Sequence, residues 1–125
     1  MANTIVWFDF PVKDLEKATK FYSAVLDKDL KINSEHGFNM TVFPHEEAGD
    51  DVAGCLYEAS DAAPHQSGML IYFDVNNRIQ DAVSKVTLHG GQVIEPVSSI
   101  GPWGYRAVVS DCEGNKIALY SKSEN

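Results

Sequence analysis

The chain has 125 residues, 44% hydrophobic and 22% charged, which excludes wholesale disorder and is enough to bury a core without staples. Ten basic against eighteen acidic residues give a net charge of −8, a balance that repels a phosphate backbone or an anionic membrane surface. No apolar run approaches the ~20 residues of a membrane span, no basic-then-apolar leader opens the chain, and Cys55 and Cys112 make no disulfide framework. The expectation is a cytoplasmic protein with reduced thiols and neither nucleic acid nor membrane as partner.

In chain order, the first predicted element is a strand from Thr4, in which Val6, Phe8 and Phe10 alternate with Ile5, Trp7 and Asp9 until Pro11 ends it. Asp14 caps a helix whose apolar stripe is Leu15, Ala18, Tyr22 and Val25, widened by Phe21 and Leu26, and which ends near Asp27. Extended stretches follow at Leu30 to Ser34, Gly37 to Phe43 and Val52 to Tyr57, with an acidic loop over Glu46 to Asp51. Ser60 to Ser67, with Pro64, reads as a linker. The order then repeats. Leu70 to Val75 is a strand, and Asn77, with Gln80 at capping-box distance, opens a second helix striped by Ile79, Ala82, Val83 and Val86 and stopped by Gly90 and Gly91. Gln92 to Val97, Trp103 to Ser110 and Lys116 to Ser121 are the last strands, the final pair joined by a turn over Asp111 to Asn115.

Strand-helix-strand-strand-strand thus occurs twice, and aligning Val12 with Val75 sets Trp7 opposite Leu70 and Asp14 opposite Asn77. The fold class read from this is α+β: two βαβββ modules forming a concave mixed sheet with helices on the convex face. One domain is expected over 1–125, with a first module at 1–60, a linker at 61–67 and a second module at 68–125. Alternation assigns the faces. Val6, Phe8 and Phe10, then Ile71, Phe73 and Val75, then Ile117 and Leu119 lie under the helices. Trp7, Asp9, Leu70, Tyr72, Ala118 and Tyr120 line the cleft. The facing of Trp103 to Ser110 stays open, because Tyr105, Ala107 and Val109 compete with Arg106 and Val108. An aromatic cleft can be a ligand platform, although aromatic residues on a sheet more often pack against one another or a partner.

Two segments carry a family likeness. Phe10 to Tyr22 resembles the Pro-Val-x-Asp-Leu-x-x-Ala-x-x-Phe-Tyr strand-helix junction of vicinal oxygen chelate proteins, the glyoxalase/bleomycin-resistance/dioxygenase superfamily. Val109 to Ile117 is similar to their terminal Asp-Pro-x-Gly-Asn hairpin, with Cys112 in place of proline, and Gly101 to Ala107 resembles small bacterial members. The resemblance implies paired βαβββ modules around a concave sheet. In many members it also implies a divalent metal held by His or Gln on the first strand, Glu on the fourth, His or Glu on the fifth and Glu on the eighth. Carried over position by position, these ligands fall on Trp7, a residue within Gly54 to Glu58, Leu70 and Ala118. Trp7, Leu70 and Ala118 cannot bind a metal, so neither metal nor other cofactor is expected.

The remaining candidates read more plainly. His36, His45, His65 and His89 are scattered in loops or at a helix end, and His45-Glu46-Glu47 lacks helical metal-site spacing. Asp9, Asp74 and Glu58 are possible acid-base groups, Asp74 being placed to cap the second helix. Cys55 and Cys112 lie in no nucleophile signature, and Gly90-Gly91 follows a helix instead of opening one, so it cradles no phosphate. The leading expectation is a metal-free binder of a small apolar or aromatic molecule, of the bleomycin-resistance kind. Its ligand-binding set is Trp7, Asp9, Leu70, Tyr72, Trp103, Tyr105 and Tyr120. The alternatives are a metal-dependent lyase, isomerase or dioxygenase of the same superfamily, and an interaction role without a small ligand. A homodimer is expected, because pairing two copies covers edge strands and open sheet.

Overall fold

The computed structural model describes residues 4–35, 37–45, 52–65 and 67–125. The acidic loop over 46–51 and His36 lie outside the described residues. Strand β1 (Trp7–Val12), helix α1 (Leu15–Leu26) and strands β2 (Ile32–Asn33), β3 (Met40–Val42) and β4 (Ala53–Glu58) make the first half. Strand β5 (Tyr72–Asp74), helix α2 (Ile79–Leu88) and strands β6 (Gln92–Ser99), β7 (Tyr105–Ser110) and β8 (Lys116–Ser121) make the second. The sheets are ordered β1-β4-β3-β2 and β5-β8-β7-β6, and in each the first strand runs parallel to the fourth while the other pairs are antiparallel. The α+β arrangement of two βαβββ modules is therefore present. Among the described residues no helix is long and apolar enough to cross a membrane.

Local chemistry accounts for α1. The Asp14 carboxylate accepts the Lys17 N–H at 3.0 Å, and the apolar stripe from Leu15 to Leu26 is buried. At the other end Asp27 takes a left-handed conformation (φ 55°). Strand β1 does not stop at Pro11 but runs through it to Val12. Proline is tolerated there because β1 is an edge strand, bonded to β4 alone. Val6, expected under the helix, precedes the strand and is 68% exposed, whereas Phe10 and Val12 are buried and Phe8 packs against the core. The Phe8 ring occupies the space over Gly54 where any Cβ would collide with it. Only glycine fits beneath the ring.

The start of α2 differs from the local signal. Asn77 does not cap it: Asn77 is left-handed (φ 65°), gives its N–H to the Ser121 hydroxyl, and accepts from Ser123. The helix begins at Ile79, whose N–H meets the Asn125 main-chain oxygen at 2.7 Å, and Gln80 reaches the Glu124 carbonyl. The C-terminal residues thus supply the acceptors that a local cap would have given. Between β6 and β7, residues Gly101–Trp103 form a 3-10 turn instead of starting a strand, while β6 extends to Ser99 with two irregularities in its pairing.

One hydrophobic core serves both halves. It joins Phe10, Phe21, Tyr22, Val25 and Leu56 to Val75, Ile79, Val86, Ile117 and Leu119, and α1 and α2 touch each other. Aromatic rings stitch the halves: Phe73 lies 5.4 Å from Tyr22, 5.3 Å from Phe43 and 6.3 Å from Phe8 between centroids. The turn after β7 adds a polar clamp. Asp111, buried, accepts the hydroxyl of buried Tyr22 at 2.7 Å and also takes the N–H groups of Glu113 and Asn115 and the Asn115 amide. Glu113 accepts the N–H groups of both Lys13 and Asp14, each at 2.8 Å, just ahead of α1. Its negative charge sits where a helix N-terminus favours one. The signature turn therefore fastens the second half to the first.

Candidate functional site

The faces of the sheets turned away from the helices form the candidate site. Pairing register places Trp7 beside Ala53 and Asp9 beside Cys55 on the first sheet, and Tyr72, Ala118 and Val108 in one row across the second. Between the two, along the seam of edge strands β1 and β5, runs a groove of about 680 Å³ whose lining includes Ile5, Asp9, Pro11, Met69, Leu70 and Tyr72. Its wall is mostly apolar, as a small-molecule site requires.

On the first sheet the Trp7 indole N–H donates to Asp9 Oδ1 at 2.8 Å, and the Cys55 thiol approaches the same oxygen at 3.4 Å. This leaves Oδ2 with neither contact and lays the indole along β1; Trp7 is 40% exposed. Burial first, then the Asp9 hydrogen bond and charge, pushes the Cys55 thiol up to about 11. Burial and the charges of Asp111 and Glu113 push Cys112 up to about 12. Both thiols are protonated at neutral pH, which denies them the thiolate a nucleophile needs.

On the second sheet Tyr72 is 46% exposed. Tyr120 donates its hydroxyl to the Trp103 carbonyl at 2.5 Å, which ties the 3-10 turn to β8. Trp103 itself is 71% exposed. Asp74 is also on this face, where it accepts the Asn76 N–H and so closes its own turn. The structure thus joins Trp7 to Asp9, brings Asp9, Leu70 and Tyr72 to one groove, and joins Trp103 to Tyr120. Tyr105 stands apart. It alternates with Ala107 and Val109, both in the core under α2, and so lies on the helix side of β7.

Sequence reasoning missed Arg106. It is on the open side of β7 with Val108, and its guanidinium donates to the Tyr72 hydroxyl at 2.6 Å and meets Glu95 at 3.6 Å. The only signal was its alternation with Val108, which the equally apolar Ala107 and Val109 obscured.

The implied metal does not fit the side chains present. Trp7, Leu70 and Ala118 offer no donor. Within β4, Glu58 pairs with Val12 on the helix side and approaches the Leu15 N–H at 3.4 Å, so the open-side residues are Ala53, Cys55 and Tyr57. Among the described residues no three His, Cys, Asp or Glu side chains cluster as a metal site. The His65 ring lies tilted against Phe10, 5.6 Å between centroids, and His89 ends α2.

A family model described as the Glyoxalase/Bleomycin resistance protein/Dioxygenase superfamily matches residues 4–119. No curated protein matches significantly. Among solved structures, a hypothetical protein from S. aureus superposes with a TM-score of 0.71 at 21% identity, covering 95% of this chain and 94% of that one. A glyoxalase/bleomycin resistance protein from Albidiferax ferrireducens gives 0.70 at 21% identity, covering 95% and 99%. A mutant of the fosfomycin resistance protein FosX from Listeria monocytogenes, complexed with Mn(II) and a dihydroxypropylphosphonic acid, gives 0.67 at 17% identity, covering 96% and 93%. At these identities the likeness is one of fold.

Proposed function

The chain belongs to the Glyoxalase/Bleomycin resistance protein/Dioxygenase superfamily, and from that premise we propose that it binds a small apolar or aromatic molecule on its open sheet face without a metal. The observation that carries this reading is a substitution of chemistry. Where the superfamily resemblance places metal ligands, the chain has Trp7, Leu70 and Ala118; Trp7 and Tyr72 are both partly exposed, and Leu70 and Tyr72 line an apolar groove. Large aromatic groups left in water at a groove are suited to stacking on a flat ligand. Two unpaired thiols fit a reducing cytoplasm.

Two measurements test it. Inductively coupled plasma analysis of the purified protein is expected to find no stoichiometric divalent metal; about one zinc, manganese, nickel or iron per chain would turn the reading to a metal-dependent lyase, isomerase or dioxygenase. Titration with a neutral aromatic probe such as Nile red should saturably change tryptophan fluorescence, since the chain's two tryptophans are Trp7 and Trp103. A flat titration would reject a ligand platform.

The same reading includes a homodimer. Ile5, Val6, Val52 and Met69 are exposed near the seam, and β2 and β6 end their sheets as open edges. A second copy would cover part of this surface. Light scattering at micromolar concentration should return twice the chain mass; the mass of a single chain would reject the dimer.

A further inference from the structure

We propose that Arg106 is an anion-recognition residue, and that the ligand it selects is an aromatic monocarboxylate. This assignment rests on the reading that the open face binds a small aromatic molecule, and names the class. The geometry begins with the row Tyr72, Ala118, Val108, Glu95, which crosses the second sheet from β5 to β6. Arg106 starts in the adjoining row, opposite Tyr120, yet one end of its guanidinium bonds Tyr72 on β5 and the other meets Glu95 on β6. To reach both, it must lie over the middle of the row.

Burial agrees. Val108 and Ala118 are on the open side, away from the helices, but are 1% and 0% exposed. A small side chain at Ala118, one of the positions where the resemblance places a metal ligand, leaves room for the guanidinium. The second sheet therefore presents a fixed cation in the region where relatives of the metal-dependent kind would present donors. The cation is backed by an apolar floor, which strengthens its pull on an anion.

The partner chemistry follows from the surroundings. A guanidinium tied at one end to Tyr72 offers its remaining N–H groups in a planar fork, which matches a carboxylate. Glu95 and Asp74, with a net charge of −8, oppose a doubly charged phosphate more than a single carboxylate. The Glu95 contact, 3.6 Å long with Glu95 half exposed, is a weak competitor that a ligand carboxylate can replace. Tyr72 supplies an aromatic surface beside the fork.

The test compares naphthoate with naphthamide, equal in shape and different in charge, by tryptophan fluorescence. On the native protein naphthoate should bind about tenfold or more tightly than naphthamide, the scale of a hydrogen-bonded charge pair. Raising salt should weaken naphthoate alone. Arg106→Gln should remove the difference, and Arg106→Lys should restore part of it. Equal affinity of acid and amide for the native protein overturns the assignment to Arg106 while leaving the aromatic platform standing. Binding of neither probe overturns both. The comparison on the native protein decides even if Arg106→Gln does not fold.

Discussion

Asp111→Ala should lower the melting temperature by roughly 10–20 °C. The carboxylate is buried and accepts from the Tyr22 hydroxyl, two main-chain N–H groups of its own turn and the Asn115 amide. Removing it strands the Tyr22 hydroxyl inside the core and releases the turn that carries Glu113 to the start of α1. Leaving buried donors without a charged acceptor costs about 3–5 kcal/mol, and at this chain length that converts to the stated shift in melting temperature. Two milder variants locate the effect. Tyr22→Phe removes one of the four bonds and should cost about 1–2 kcal/mol. Glu113→Gln keeps one acceptor oxygen, turns an amide NH2 toward the other N–H and loses the charge at the helix N-terminus, and should cost about 1–2 kcal/mol. If Asp111→Ala melts within a few degrees of the parent, the turn does not fasten the two halves as described.

Phe8→Ala and Trp7→Ala should separate by about 1–4 kcal/mol in stability, although the residues are adjacent. Phe8 packs on the core, with its ring 5.8 Å from Phe43 and 6.3 Å from Phe73, and covers Gly54. Its truncation opens space between the halves that nothing else fills. Because Phe8 is only partly buried, the expected cost is about 2–4 kcal/mol, at or below that of a fully buried phenylalanine. Trp7 is turned to the open side and gives up one exposed hydrogen bond to Asp9, so Trp7→Ala should cost under about 1 kcal/mol. It should nevertheless weaken binding of an aromatic probe. Thermal melts of the two variants read the face assignment directly, and equal destabilisation would place Trp7 in the core and end the platform reading.

The sequence by itself determined what depends on near neighbours. Period-two alternation put Phe8 and Phe10 on one side of β1 and Trp7 and Asp9 on the other, since successive side chains of a strand point oppositely. Asp14 capped α1 as read, because a cap bonds within its own first turn. The limits of β8, and the burial of Ile117 and Leu119, followed from one short apolar alternation bounded by a turn. The resemblance to the superfamily was also legible, through two segments whose residues prove to form the strand-helix junction and the clamp.

Tertiary structure decided the rest, wherever the deciding partner is remote in sequence. Asn77 had a capping-box pattern, but Ser121 and Ser123 hold it in a left-handed turn and the C-terminal residues supply the acceptors for α2. Pro11 is a strand breaker unless its strand is an edge, and only the sheet order showed that it is. The roles of Asp111 and Glu113 reach Tyr22 and the start of α1 from about a hundred residues away. Arg106 and Tyr105 needed the pairing of β7 with β8, because three consecutive apolar residues, Ala107 to Val109, give alternation no side to prefer. A residue's own neighbours set its local conformation, but which groups share an open face depends on strand order and register, set by contacts between distant segments.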